Sequence, residues 1–580
     1  MNFRVKSSLL FLLLMLGVGT ANAQLSIDGR RPVYDPLTNT YLLTVPQSAF
    51  GQDYHASVEI DDSVKMVFIG NRQVKTVVDL PLVDGEVSYP IFVSHGGYIV
   101  ESRLRFTYLP IVELTGQFNN EYSLGQVKVT LPDEHASQDY QARIKWAGGT
   151  TTHDRIHKHN FHIKFVDENG EKMDVSFFGL RKDNHWRLDA GIVDMLRFRN
   201  KAAHGLWADF GTQCYYADKQ PNARSYSRGQ HVEMFLNGVY MGFFDMAEFL
   251  DRKQMKLKKY DDATGQFHGL MWKGKDATDQ TLFIKPTTVN NTQDNWGGFD
   301  LMYPDFDEVS PTDYSVLANA VKFVANSDSA TFESQVGDFF DLPVLVDYYV
   351  FIHTLFALDN VSKNIIWGCY DSAVDKKLTL SVWDLEATVG QHWYDGEGFY
   401  HAPEIQPEVD FEQENLRFSI MWRNRLFMRL KSMPSFLDRA KERYWELRNT
   451  VLHPDSLIER YAAIYNNLEA TGALARETER WSGDNDIAYR ELDFPGEFAY
   501  ACDWIQRRIK YLDENTFAIP CLYGDVNGDG VVGIMDITAM VDYLLSGNGP
   551  INRRNADLVT DGNVDIADLT GLVDLLLTEW

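Results

Sequence analysis

Along the chain, the spacing of apolar positions moves from a strand period, through mixed segments, to helices. Residues 24–115 carry short runs at 41–45, 64–69 and 103–108 that alternate or are β-branched, with Gly, Asp, Asn and Pro between them. Such runs bounded by turn formers predict a β-sandwich-like module. No catalytic pattern falls inside it, so a spacer or adhesion role is expected there. From about residue 120, strand-like segments appear at 126–130, 140–146 and 161–166, with the small-residue loop Ala147-Gly148-Gly149-Thr150-Thr151-Thr152 after the second. A helical run is expected over 192–210. Asn237-Gly238 between the apolar runs 232–236 and 239–244 predicts a two-residue hairpin. Residues 342–358 read as a buried helix, followed by strands at 365–370 and 378–383. Between 415 and 515 the apolar spacing is helical at 421–430, 434–451 and 496–511, and two shorter helices close the chain at 536–545 and 568–577.

The N-terminus has a separate logic. Arg4 and Lys6 precede an apolar run from Leu9 to Val18, and Ala21-Asn22-Ala23 has the small-x-small pattern of a signal-peptidase site. Residues 1–23 are therefore expected to be a signal peptide, and the protein to be exported to an extracellular, cell-surface or periplasmic location. No later apolar stretch has the length of a membrane span. At 580 residues the prior is about four domains. With 82 acidic against 55 basic residues the formal charge is -27, which argues against nucleic acid as a partner. Four cysteines do not make a disulfide scaffold; Cys502 and Cys521 are the pair placed to form one staple, the alternative being that all four are small buried residues.

The last sixty residues hold the strongest local chemistry. Asp525, Asn527, Asp529 and Asp536 occupy positions 1, 3, 5 and 12 of an EF-hand-like loop, Gly530 sits at the sharp turn, and Val531 would add its backbone carbonyl. Thirty-two residues on, Asp557, Asp561, Asn563, Asp565 and Asp568 repeat the unit, with Val559 at position 3, so the second calcium site is expected to be weaker. Residues 524–580 carry ten acids against Arg553 and Arg554, so much of the acidity lies where calcium would neutralise it. A duplicated loop, each with one following helix, resembles a type I dockerin over residues 524–579. The resemblance implies a small all-α calcium-binding domain and a cohesin-type partner.

In the middle of the chain Asp359 is followed by Asn364 after the buried helix, the D-x-x-x-x-N spacing of a protein-kinase catalytic loop, and a hairpin later delivers Asp384. Residues 179–186, Leu196-Arg-Phe-Arg-Asn200, 232–242, Asp359 to Asn364 and Trp383-Asp-Leu-Glu-Ala-Thr-Val-Gly390 occur in this order. That succession resembles the CotH (spore-coat-protein-H-like) family of atypical kinases over residues 120–515. The resemblance implies an α+β chain with a divergent protein-kinase-like domain, ATP and Mg2+ (or Mn2+) as cofactors, and a protein substrate. Carried over residue by residue, Asp359 would be the catalytic base, and Asn364 and Asp384 would hold the metal. Lys164 would pair with phosphate, with Lys158 and Lys273 as alternatives, and Gly148 and Gly149 would let the backbone approach the phosphates.

Two features depart from the family pattern: Glu386 stands where a second Asp is usual, and residues 157–162 read His-Lys-His-Asn-Phe-His where lysines are more frequent. With His153, the histidines 157 and 159 raise a zinc alternative against solvated surface histidines. The leading expectation is an exported ATP-dependent protein kinase carried on a dockerin. The alternatives are a catalytically inactive kinase-like scaffold or binding module in a dockerin–cohesin assembly, and an accessory protein of polysaccharide degradation.

Overall fold

The computed structural model describes residues 25–578 apart from 96, 155, 395–397, 401–405, 411–422, 485–490, 520, 521, 548 and 550. The expected signal peptide, the start of the expected helix at 421–430, and Cys521 lie outside the described residues. Among the described cysteines, Cys214, Cys369 and Cys502 are free thiols. No described helix is long and apolar enough to cross a membrane.

Residues 25–107 form two sheets, one of three strands and one of six. Alternation does the sorting: Gln52–Ile60 buries Tyr54, Ala56 and Val58 and exposes the residues between them. Buried faces of both sheets meet on Leu43, Val67, Leu80, Ile91, Leu104 and Phe106.

Seven strands then close a barrel in the order Ile111–Thr115, Ser123–Thr130, Gln138–Ala147, Asn160–Val166, His185–Asp189, Val239–Glu248 and Gly229–Leu236. Parallel pairing of Ile111–Thr115 with Gly229–Leu236 closes the ring, so a strand inside the span expected for the β module hydrogen-bonds into the barrel instead. The expected hairpin is present, with Asn237 and Gly238 both at positive φ (51° and 79°), the backbone of a type I′ turn. Ile144, Ile163, Trp186 and Met234 fill the barrel. Period two then turns Lys145, His162, Lys164 and Arg187 outward, with Lys145 opposite His162 and His162 opposite Arg187.

The helix expected over 192–210 begins only at Arg199. The residues before it wrap around Asp194, whose carboxylate accepts the backbone N–H groups of Leu196 (2.9 Å) and Arg199 (2.6 Å) and the Arg199 guanidinium (2.7 Å). Those local bonds replace a helical turn.

A five-stranded sheet follows, in the order Asn295–Trp296, Phe299–Tyr303, Leu270–Gly274, Ile365–Asp371 and Asp375–Val382. Against it packs Leu342–Leu355, a helix apolar on every side and buried from Val344 onwards. Helices Pro434–Arg448, Pro454–Ala470, Ala473–Trp481 and Phe494–Tyr511 enlarge the same core.

The flanking units are fastened to this body. Gly85 lies so close to the 470–472 turn that a Cβ there would fall 2.3 Å from the Gly472 nitrogen. Nearby, Tyr108 donates to Asn467 (3.0 Å). At the other end, helices Ile534–Ser546, Arg553–Ala556 and Ile566–Thr578 gather around Val526, Met540, Ile551 and Leu572. Arg554 donates to the Asp513 carbonyl (3.0 Å) and Asn449 to that of Ile551 (3.2 Å).

Candidate functional site

The loop carrying Asp359 is shaped by the end of the buried helix. Phe356 takes the left-handed conformation (φ 55°) and stops it, and a single 3-10 turn, Leu358–Asn360, follows. Tyr348 donates to the Asn360 carbonyl (2.5 Å), and the Asn360 amide donates to the Trp383 carbonyl (2.7 Å), so this loop and the residue before Asp384 are joined. On the other side the Asn364 N–H donates to the Gly274 carbonyl (2.8 Å). A Cβ on Gly274 would lie 2.2 Å from the Ser362 carbonyl oxygen, so only glycine allows this approach.

Asn364 and Asp384 both hold positive φ (60° and 57°), an unusual backbone for non-glycine residues and one that clusters at functional sites. The Asn364 amide (2.8 Å) and the Lys363 ammonium (3.0 Å) both donate to Asp359 Oδ2. Asp359 is hemmed in by protein, yet its side chain keeps 38 % of its exposure, so one side of the carboxylate is open to solvent.

The carboxylates of this site all bind protons more tightly than usual. Burial raises the Asp359 carboxyl, and the neighbouring Asp384 adds to it against the pull of Lys363 and Asn364. Asp384 is raised by burial, with Asp189 adding and Lys363 and Lys273 opposing. Glu386 is raised well above the carboxylate range by burial and by Asp189, Asp384 and Asp194. Crowded acids of this kind suit a divalent cation, which would relieve their mutual repulsion.

Among the described residues no three His, Cys, Asp or Glu side chains form a metal-holding group by themselves. An Mg2+ ion of the kind used in phosphoryl transfer does not need one. It takes one or two protein oxygens and completes its shell with phosphates and water.

The three candidate lysines separate. Lys158 is 0 % exposed, and its ammonium donates to the carbonyls of Ala190 and Phe243 (2.9 Å each) and to Glu477 (2.8 Å). Its three donors are taken by protein, which leaves none directed at a phosphate, and burial pushes it down to about 8. Lys164 lies on the outer barrel face over the Tyr122 ring (4.6 Å), and Lys145 shares that ring (4.8 Å). Lys273, on Leu270–Gly274, is the candidate whose charge acts on both Asp384 and His162.

Gly148 (φ 94°) sits tight against Thr151, whereas a Cβ on Gly149 would meet nothing within 4 Å. The histidines considered for zinc go separate ways: His157 pairs with Asp484 (3.1 Å), and His159 stacks on Trp146 (3.7 Å between rings).

Asn200, noticed in sequence only as part of a motif, has a definite place. Its amide donates to Asp189 (2.7 Å) while its oxygen accepts the Leu385 N–H (3.1 Å), linking the barrel to the turn between Asp384 and Glu386. Arg187, beside them, lies over the Trp383 ring (4.8 Å). Neither Asp189 nor Lys363 carried a sequence signal, because nothing in their spacing distinguishes them from other surface charges.

The C-terminal loops share the bonds made by their first and last acids. Asp525 accepts the N–H groups of Asp529 (3.0 Å) and Gly530 (3.1 Å), and Asp557 those of Asp561 (3.1 Å) and Gly562 (3.0 Å). Asp536 accepts from Asn527 (2.9 Å) and Gly533 (2.8 Å), and Asp568 from Val559 and Asp565 (2.9 Å each). Gly530 and Gly562 share positive φ (84° and 88°). In this register Asn563 and Asp565 stand where the first loop has Val531 and Gly533. The second loop lacks an oxygen at position 3 and has one at position 9, so the donor set fits an oxygen-loving cation in both copies.

A family model described as CotH kinase protein matches residues 144–512, and one described as Dockerin type I domain matches residues 523–577. No curated protein matches the chain.

Proposed function

Because the chain belongs to the CotH kinase protein family, we propose that it is an exported atypical protein kinase, held to a cohesin-type partner by its C-terminal dockerin. The observation that carries this reading is the Asp359–Asn364 hydrogen bond, with Lys363 on the same carboxylate oxygen, in a loop tied by Asn360 to the residue before Asp384. The barrel and the helix-backed sheet would be the two lobes of a divergent kinase-like fold, with the nucleotide between them. When bound, ATP and Mg2+ would supply the phosphoryl group and the positive charge that its transfer needs.

The chain's own residues do the rest. Asp359 accepts the proton of a substrate hydroxyl at its free Oδ1, while Lys363 and Asn364 orient it through Oδ2. Asn364 and Asp384 are the metal-holding oxygens, and Glu386 stands behind them as a further acid. Lys273 and Lys164 are the cations available to phosphate, and Gly149 leaves space for it.

Labelled ATP with Mg2+ or Mn2+ tests the reading, with Asp384→Ala alongside. Transfer of label by the wild type but not the variant supports it. If the wild type neither binds nor hydrolyses nucleotide with either metal, the catalytic reading fails. An inert scaffold would then stand, in which the Lys363–Asp359 pair (3.0 Å) is only structural.

A further inference from the structure

A cleft of about 550 Å3 is lined in part by residues 221–226, a segment that hydrogen-bonds to the strand leading to Asp384. Arg181, Arg224, Arg228, Lys253 and Lys256 line it, and none of its described lining residues is an Asp or Glu. Composition works against such a concentration, since the chain has 82 acids to 55 bases.

The carboxylates that hold these cations stand behind them. Glu248 pairs with Arg224 and Arg228 (3.0 Å each). Asp183 and Asp251 pair with Arg181 (3.1 and 2.9 Å), and Lys253 also reaches Asp183. Glu248 and Asp183 are 1 % and 4 % exposed, so they anchor the guanidinium groups from inside and leave the cleft face cationic. Lys256 pairs with no described acid. Five cations against three carboxylates leave two positive charges.

The wall of the cleft is joined to the phosphotransfer site. Ser225, which lines it, accepts hydrogen bonds from the Val382 N–H (3.3 Å) and the Ser381 hydroxyl. Asp384 follows two residues on, within about 7 Å of chain.

We propose that this cleft binds a phosphoryl group carried on a protein segment, as phosphoserine or phosphothreonine. Two uncompensated positive charges match the charge of about -1.5 to -2 on a phosphomonoester better than a single carboxylate. Arg228 Nη1 and the Lys256 ammonium, which hydrogen-bond to no described residue, are the donors open to its oxygens. The volume exceeds what a free phosphate ion fills and leaves room for flanking peptide. Anion recognition alone is required, so the proposal stands apart from the phosphotransfer reading.

Calorimetric titration of the calcium-loaded full chain, without nucleotide or added Mg2+, tests it. The probes are a short glycine-flanked phosphoserine peptide, its unphosphorylated twin, and inorganic phosphate. The phosphopeptide should bind at least about tenfold more tightly than its twin. Inorganic phosphate should displace it. Lys256→Gln should weaken binding about tenfold with an unchanged melting temperature; Arg228→Gln should weaken it similarly and lower the melting temperature, because the buried Glu248 loses one of its partners. Asp384→Ala should leave binding intact, which separates this cleft from the nucleotide site. Equal affinity for inorganic phosphate would assign the same phosphoryl chemistry to the free ion. The proposal is overturned if neither phosphate nor phosphopeptide binds, if the twin binds as well, or if the double variant Lys256→Gln/Arg228→Gln binds normally.

Discussion

At Asp359 opposing effects can be weighed. Burial and Asp384 favour the neutral acid, Lys363 and Asn364 favour the carboxylate, and the first pair prevails. A base with a raised pKa holds its proton to higher pH, so the acid limb of kcat/KM should lie above the ordinary carboxylate range. A pH–rate profile checks this; an acid limb at or below about pH 4 would contradict it. The same shifts have a consequence for stability. Asp359, Asp384 and Glu386 are all raised in the folded state, so on raising pH the unfolded chain loses these protons first. The folded state is then penalised above the unfolded pKa, fully so above the folded values. Mg2+ should therefore raise the melting temperature more at pH 8 than at pH 5, and equal shifts at both would argue against metal binding by these acids. Gly274 offers a steric counterpart. Gly274→Ala forces a Cβ against the Ser362 carbonyl and should cost about 1–3 kcal/mol in denaturant unfolding.

Helix Ala473–Trp481 lies across the barrel through buried charges, Arg476 pairing with Glu233 and Glu477 with two cations. Glu477 receives Lys158 (2.8 Å) and the Arg197 guanidinium (3.0 Å), and it also accepts the Phe243 N–H (3.2 Å). Gly242 (φ 93°) makes the approach possible, because a Cβ there would overlap the Glu477 carboxylate. Removing one partner of such a cluster leaves charge uncompensated in the interior. Lys158→Ala should lose about 3–5 kcal/mol of stability, whereas Lys164→Ala, on the outer barrel face, should leave unfolding unchanged and alter only nucleotide affinity. Paired denaturation and nucleotide-binding measurements separate the two lysines. A stable Lys158→Ala with weakened ATP binding would restore it as a phosphate ligand.

Across the whole molecule, the β module and the dockerin are docked on the central body rather than strung from it. Gly85 against the 470–472 turn fixes one end, and Asp513 helps fix both the body and the tail. Asp513 holds Arg448 (3.1 Å) through its side chain and receives Arg554 (3.0 Å) at its carbonyl. The dockerin core is small, built on Val526, Met540, Ile551, Ala556 and Leu572, and dockerin domains generally bind calcium. Calcium removal should therefore melt residues 524–578 at lower temperature, with loss of far-UV helicity, while the main unfolding transition moves little. Asp525→Ala should weaken the calcium response more than Asp557→Ala, as titration calorimetry can measure; equal effects would show that Asp565 makes up for Val559.

What the sequence determined alone was whatever lies within a few consecutive residues. The duplicated calcium loops, the Asn237-Gly238 turn and the Asp359–Asn364 spacing are local, because their hydrogen bonds and backbone angles close within about a dozen positions. Even there, local competition was easy to miss, as Asp194 showed by delaying a helix to Arg199. Tertiary structure decided what depends on distant partners. It moved Ile111–Thr115 into the barrel through pairing with a strand more than a hundred residues away. It buried Lys158 against Glu477 with its three ammonium donors taken, and put Lys273 where its charge acts on Asp384. Asn200 became a link between Asp189 and Leu385 for the same reason. Residue type and spacing specify a charge or a turn. Only the packed chain decides whether that charge faces a cleft or another charge.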